Sequence, residues 1–556
     1  MAGKSWYKEM SVYQIWIRSF FDGNGDGIGD LRGVLEKLDY IKSLGVDAVL
    51  LSPVFPSPNA DCGADSSDFM GIAPEYGDPD TFRRLLDEAH RRDLRLFLEI
   101  SINHTSDEHF WFRESRKGAS NPYHDYYCWR SAKYIGKKRL PPDGLTSRAD
   151  GLSWVYNGDL DEYYLSLFTG KQPVLNLDNP KVRSEIKKIL RFWLDRGVDG
   201  FREDVITYSS KGPFSSGSFP KLPAAFAKTR LSALDSTLRE LKRDVLNCYD
   251  CFAVGDIPQI TADAALKYIS EGPDKVLDEI MIFDRRPGQS DFRVTLSSSF
   301  SLEKMKAAFT ERQGKAEGRG WNALGFEDHE SPRSISRFGS EIYRKESGKM
   351  LAAAVFLQKG TPFLYQGQEI GMLNTALPRL EMYRDALTLH TAEKAARIVS
   401  GEKVLKLVHR FSRDNARTPM QWNSGKNAGF SSGSPWFGVN PNYLDINAAA
   451  EEKDPDSILN FYRRLLAFRK ENEAALYGVY RELLPGDKQL YVYERVYGSE
   501  KLLVICSFTN EQVRFEASDG YNIEAEEPVL SNYEHNFVIS NGFTTRPYEM
   551  RVYHFK

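Results

Sequence analysis

Short apolar runs rich in β-branched and aromatic residues alternate along this chain with longer amphipathic stretches. The runs fall at Ser11–Arg18, Val46–Ser52, Leu94–His104, Val198–Val205, Cys251–Asp256, Val276–Phe283, Trp321–Glu327 and Thr361–Tyr365, and they read as strands. They are near-continuously apolar, as strands buried on both faces are. The stretches between them read as helices. In Asn179–Arg196, Asn179 is placed to cap and Pro180 suits the first turn. Val182, Ile186, Ile189, Leu190 and Trp193 share one face there, and Gly197 ends the run. Eight such strands with helices between them predict an α/β fold, a (β/α)8 TIM barrel. An open doubly wound sheet has the same alternation, so spacing alone leaves closure undecided.

The alternation breaks twice. From about His104 to Pro173 the text turns aromatic and loop-like, with HFWF, YHDYYCW and LPPDG. This predicts a subdomain at 105–172, inserted after the third strand. From about Asp487 the pattern becomes period-two, as in Gln489–Val496 and Lys501–Phe508, which predicts a C-terminal antiparallel β-domain over 487–556. The barrel is then expected from 1–104 and 173–486.

Composition narrows the function classes. With 41% apolar and 27% charged residues and a formal charge of -3, nothing in the charge draws the chain to nucleic acid or to a membrane surface. No apolar run approaches a spanning length of about 18 residues, and MAGKSWYKEM lacks a secretory apolar core. Cys62, Cys128, Cys248, Cys251 and Cys506 are an odd, scattered set. The Cys248/Cys251 pair has no second pair to complete a zinc spacing. Reduced thiols and a cytoplasmic location are expected.

Polar residues gather where the strands end. The third closes on Ile102-Asn103-His104, the fourth reads Gly200-Phe201-Arg202-Glu203-Asp204-Val205, the fifth ends at Asp256, and Glu327-Asp328-His329-Glu330 follows the seventh. In a barrel these ends share one rim. That rim would carry Asp204, Asp256 and Glu330 with His104, His329 and Arg202. Glycoside hydrolysis needs such a set: a nucleophile, a proton donor and help for an oxocarbenium-like transition state. Singly, each of these residues reads more simply as a turn, cap or structural histidine; their joint placement at strand ends argues for chemistry. Arg202 lies two residues before Asp204, on the same face of the strand, where it would hold that carboxylate ionised.

Near the N-terminus Asp22, Asn24, Asp26, Ile28 and Asp30 alternate with glycines, copying the first nine positions of an EF-hand loop. Gly33 takes the twelfth place, so this is not an EF-hand. A structural Ca²⁺ site on those five residues is expected, the Ile28 carbonyl included. The acids in GNGDGIGD would repel phosphate, and no other Gly-rich phosphate loop is present. No organic cofactor is expected.

SVYQIWIRSF, DGNGDGIGDLRGVLEKLDYIKSLGVDAVLLSPVFPSPN, INHTSDEH, GFREDVI, ESPRSISRFG, GTPFLYQGQEIGM and DNARTPMQWN together resemble glycoside hydrolase family 13. The resemblance is to its oligo-1,6-glucosidase, dextran glucosidase, sucrose isomerase and trehalose synthase group, and it spans essentially the whole chain. It implies the barrel, the insertion, the β-domain and a retaining mechanism. It makes Asp204 the nucleophile, Asp256 the acid/base and Glu330 the stabiliser. His104, Arg202 and His329 would line the glucose subsite, and Asp65 and Arg417 would grip the non-reducing end. Val205 resembles members that prefer α-1,6 linkages. The departures lie in the same places: the family's Glu acid is Asp256, its Asp stabiliser is Glu330, its third-strand Asp is Glu99, a stacking Tyr is Ala64, and the Asp of QPDLN is Val174. Two functions follow. One is an α-glucosidase or transglucosylase acting on short oligosaccharides or disaccharides, α-1,6-linked ones such as isomaltose favoured. The other is a catalytically impaired relative that binds sugar or a partner protein.

Overall fold

A computed structural model describes residues 6–142, 153–204, 235–257, 260–281 and 300–556 apart from 519, 525 and 535–539, with the backbone alone at Asp204. The eight expected strands are Val12–Ile15 (β1), Ala48–Leu51 (β2), Arg95–Ser101 (β3), Gly200–Asp204 (β4), Phe252–Asp256 (β5), Glu279–Met281 (β6), Ala323–Leu324 (β7) and Thr361–Tyr365 (β8). They form one parallel sheet in the order β6-β5-β4-β3-β2-β1-β8-β7. The chain thus runs β1 to β6 along the sheet, and β8 and β7 wrap around from the far side of β1. This is a nearly closed TIM barrel; among the described residues no ladder joins β6 to β7.

Inward-facing side chains fill the lower barrel. Val12, Ala48, Leu50, Phe97, Phe252, Val254, Met281 and Phe363 pack together with Tyr7 and Trp321, so the interior is a core and not a pore. A larger apolar cluster, including Val49, Leu51, Leu98, Phe201 and Ala253, lies between the strands and the outer helices. The helix at Pro180–Leu194 forms as its text dictates. Asn179 accepts from the Lys181 amide, Pro180 sits in the first turn, and Val182, Ile186, Ile189, Leu190 and Trp193 are buried. Gly197 takes φ +95°, a conformation that suits glycine.

Between β3 and β4, Trp129–Ser131, Trp154–Asn157 and Glu162–Leu165 make a three-stranded sheet, and Lys133–Ile135 pairs with Lys138–Leu140. At the C-terminus, Val479–Glu482 (β9), Leu490–Tyr497 (β10), Glu500–Ser507 (β11), Leu530–Ser531 (β12) and Met550–Phe555 (β13) form a sheet ordered β9-β10-β11-β13-β12. This sheet starts ahead of residue 487, because β9 pairs antiparallel with β10 (Tyr480 opposite Arg495). Only Tyr480 in β9 is well buried, so the strand carries too little apolar text to be read as one.

Candidate active site

The parallel register brings the polar strand ends level. Arg202 pairs with Glu99 across β3/β4, and Asp204 pairs with Ser101 on one side and Asp256 on the other. Arg202 is 1% exposed. Its Nη1 donates to Glu99 Oε2 at 2.6 Å and its Nη2 to Asp256 Oδ2 at 2.5 Å, with Asp328 Oδ2 at 3.9 Å. The expected Arg202–Asp204 link lies outside the described residues, as do the Asp204 side chain and Val205. What Arg202 does is bridge the third and fifth strands, with Glu99 as its first partner.

Above this cluster lies a cavity lined among others by Trp16, Ala64, Glu99, His329, Glu330, Arg413 and Arg417. His329 Nε2 stands 3.7 Å from Glu99 Oε1, and Nδ1 faces the Gln14 amide at 3.3 Å and Ser52 Oγ at 3.4 Å. Burial pushes its pKa down. Arg417 Nε donates to the His329 carbonyl at 3.0 Å, and its guanidinium lies 5.5 Å from the Trp16 ring centre.

His104 and Asp65 lie beneath the lining of this cavity. His104 Nε2 donates to the Ala64 carbonyl at 3.1 Å, and its ring centre is 5.2 Å from that of Phe168. Burial lowers its pKa to about 4, so it is neutral near pH 7. The Asp65 carboxylate is fully buried and accepts from the Ala60 amide (2.8 Å) and the Asp61 amide (3.0 Å). The acidic partner of Arg417 is instead Asp385, at 3.6 Å. The local reason is a tight loop at 60–65, where Cys62 and Gly63 both adopt positive φ and turn the Asp65 side chain back onto its own backbone.

Sequence reasoning overlooked Arg413, Asp61 and Asp385. Arg413 donates to Asp61 at 3.0 Å, to Asp385 at 2.5 Å and to Glu330 at 3.1 Å. Burial alone would raise the Asp385 pKa, but Arg413 and Arg417 overcome it and hold the carboxyl below its usual range. The available signal was the position of Arg413, immediately ahead of the DNARTPMQWN motif.

In the Asp22–Asp30 loop, Asp22 accepts from the amides of Asn24, Gly25 and Gly27 and from Ser431 Oγ. Asp26 Oδ1 accepts from the Ile28 amide, and Asp30 Oδ1 caps the next helix through the Gly33 amide. Asp30 Oδ2 is buried with no hydrogen-bond partner. Burial raises the Asp30 pKa, and the nearby Asp22 charge adds to the rise; a cation would relieve both. Among the described residues no three His, Cys, Asp or Glu side chains cluster as a metal site. An ion in the loop would therefore draw on neutral oxygens such as the Asn24 amide and the Ile28 carbonyl.

The barrel, its charged rim and the cavity above it define a class, and sequence comparison agrees. Residues 14–478 match the profile of the alpha amylase catalytic domain, so the chain belongs to the α-amylase family, glycoside hydrolase family 13. It is 42% identical to an oligo-1,6-glucosidase of Parageobacillus thermoglucosidasius, over 99% of this chain and 98% of that one. It is 36% identical to a trehalose-6-phosphate hydrolase of Bacillus subtilis, over 99% and 98% of the two chains. Among solved structures it superimposes on an isomaltulose synthase of Erwinia rhapontici with a TM-score of 0.91, at 36% identity and full coverage of both chains.

Proposed function

We propose that this protein is a retaining α-glucosidase acting on short α-linked glucosides, by hydrolysis or transglucosylation. The observation that carries the reading is the Arg202 cluster: Glu99, Asp256 and the Asp204 backbone meet at one level beneath a cavity lined by His329, Glu330 and Arg417. The relatives bearing the names oligo-1,6-glucosidase, trehalose-6-phosphate hydrolase and isomaltulose synthase support it. In this reading Asp204 attacks the anomeric carbon, Asp256 protonates the leaving oxygen and then activates water or an acceptor sugar, and Glu330 stabilises the transition state. His329, Arg202 and Arg417 bind the glucose unit, with His104 and Asp65 supporting its loop from below.

One observation favours the second reading, an impaired sugar-binding relative. Arg202 holds Asp256 Oδ2, so a proton for the leaving group would have to be delivered from the other carboxyl oxygen. Screening isomaltose, isomaltulose, sucrose, trehalose and maltose, with Asp204→Asn as the control, decides between them. Turnover abolished by Asp204→Asn supports an enzyme; no turnover with retained sugar binding supports the binder.

The Asp22–Asp30 loop is read here as a structural Ca²⁺ site, held by Asp22, Asn24, Asp26, Ile28 and Asp30. The bare Asp30 Oδ2 supports it. All five cysteines are unpaired, which supports a reducing, cytoplasmic setting. Among the described residues no helix is long and apolar enough to cross a membrane.

A further inference from the structure

Arg413 stands where three separate loops meet. Asp61 follows β2, Glu330 follows β7, and Asp385 follows β8, so these carboxylates are far apart in the chain. The guanidinium spends its fixed fork of donors on all of them. Nε and Nη2 go to Asp385 Oδ1 at 2.9 and 2.5 Å, Nη2 also reaches Asp61 Oδ1 at 3.0 Å, and Nη1 reaches Glu330 Oε1 at 3.1 Å.

These three partners differ in freedom. Asp385 is fully buried and its Oδ2 accepts from the Thr388 amide and hydroxyl at 3.0 and 2.5 Å. It is therefore an anchor. Glu330 is the most exposed of the three: its side chain is 26% exposed and it lines the cavity. A planar donor held from behind by a buried aspartate restrains such a side chain to one side of the cavity. Asp61, with its side chain 9% exposed, is tied to the same group, so the loop after β2 and the loop after β7 are held at a set distance.

We propose that Arg413 is a positioning residue: anchored on Asp385, it holds the Glu330 carboxylate at the sugar-facing wall and ties the Asp61 loop beside it. This rests on the α-glucosidase reading for its effect on turnover, though not for its effect on ligand binding. A guanidinium presents its donors in a rigid planar fork that fixes several carboxylates relative to one another; an ammonium, with rotatable donors on a flexible stem, fixes them less closely.

The experiment is a double-mutant cycle. Arg413→Met and Arg413→Lys are made in the parent and in a Glu330→Gln background, and kcat and KM are measured on the best disaccharide. Misplacing a group by near 1 Å costs about 10²-fold. Arg413→Met should therefore lower kcat by roughly 10–100-fold with little change in KM, Arg413→Lys should recover part of that loss, and either change in the Glu330→Gln background should cost less than about 3-fold more. Losses of equal size in both backgrounds would show Arg413 to be structural and overturn the proposal. Calorimetric affinity for 1-deoxynojirimycin, a glucose-shaped amine, is measured on the same proteins. If the parent turns nothing over, the enzyme reading falls, and the cycle is judged on this affinity: loss in the parent background alone supports the proposal, equal loss in both overturns it. Failure of the parent to bind the amine at all overturns both. Should Arg413→Met not fold, Arg413→Lys alone carries the same comparison.

Discussion

Arg202 and Glu203 are neighbours on β4, yet they meet opposite fates. Arg202 faces into the barrel, where Glu99 and Asp256 on the flanking strands supply two charged partners. Glu203 faces out toward the helices, is fully buried, and neither of its carboxylate oxygens has a hydrogen-bond partner. The charged groups acting on it from neighbouring elements are Lys242 and Asp278, with opposite effects, and burial outweighs both, raising its pKa to about 7. The difference follows from geometry. Inward faces of all the strands converge, so a charge there meets charges from other strands, whereas an outward face meets one apolar helical layer. Burying a charge is tolerated where partners converge, and it shows up as a displaced pKa where they do not.

The sharpest way to break this comparison is Arg202→Met. Removing a guanidinium from between buried carboxylates takes away their shared cation, and loss of one buried partner typically costs about 3–5 kcal/mol. Denaturant unfolding should show a loss of that size together with lost turnover; an unchanged midpoint would mean that the cluster does not stabilise the barrel.

Glu203→Gln tests the other face. The folded state holds the Glu203 proton more tightly than the unfolded chain does. The residue therefore costs nothing below its ordinary value of 4.5, and its penalty grows up to its folded value of about 7. Taking that interval at 1.36 kcal/mol per pH unit, the penalty above pH 7 is about 3 kcal/mol. Relative to the parent, Glu203→Gln should gain stability from pH 5 to pH 8 and level off above it. A difference between the two proteins that is flat with pH would show that Glu203 has a partner in solution.

Asp256→Glu sharpens the picture at the rim. A side chain longer by one methylene would reach toward the glycosidic oxygen, and general acid help is worth about 10²–10⁴-fold. Disaccharide turnover should rise about tenfold or more relative to that of an aryl glucoside, whose leaving group needs the proton least. Equal gains on both substrates would assign Asp256 some other role.

The smallest expected shift in melting temperature is that of chelation at the Asp22–Asp30 loop. A ligand at 100 times its Kd stabilises by about 2.7 kcal/mol, which in so long a chain corresponds to a Tm drop of only a few degrees. A Tm unmoved by chelator and by added Ca²⁺ would leave the loop as a set of turns.

Much of the architecture is legible in the amino-acid sequence. The barrel strands and the Pro180–Leu194 helix can be read because burial on both faces, caps and helix-ending glycine are local signals. Joint placement of Asp204, Asp256, His329 and Arg202 follows from one topological rule, that parallel strand ends share a rim. Other features cannot be read this way. The β9 strand has too little apolar text to announce itself. The loop at 60–65 turns Asp65 onto its own amides through positive φ at Cys62 and Gly63, a conformation that composition does not announce at a cysteine.

What the sequence by itself determined, then, is the class of fold, the order of its elements and the chemical types brought to the rim. Periodicity and motif are properties of contiguous residues, and contiguous residues are what it records. Which charge pairs with which was decided only in three dimensions. Arg202 sits within reach of Glu99 and Asp256 because the ladders of three strands align there, and Arg413 meets Asp61, Glu330 and Asp385 because three loops fold over one cavity. Coulomb attraction and burial act on distance in space, and the chain sets that distance only once it has closed on itself.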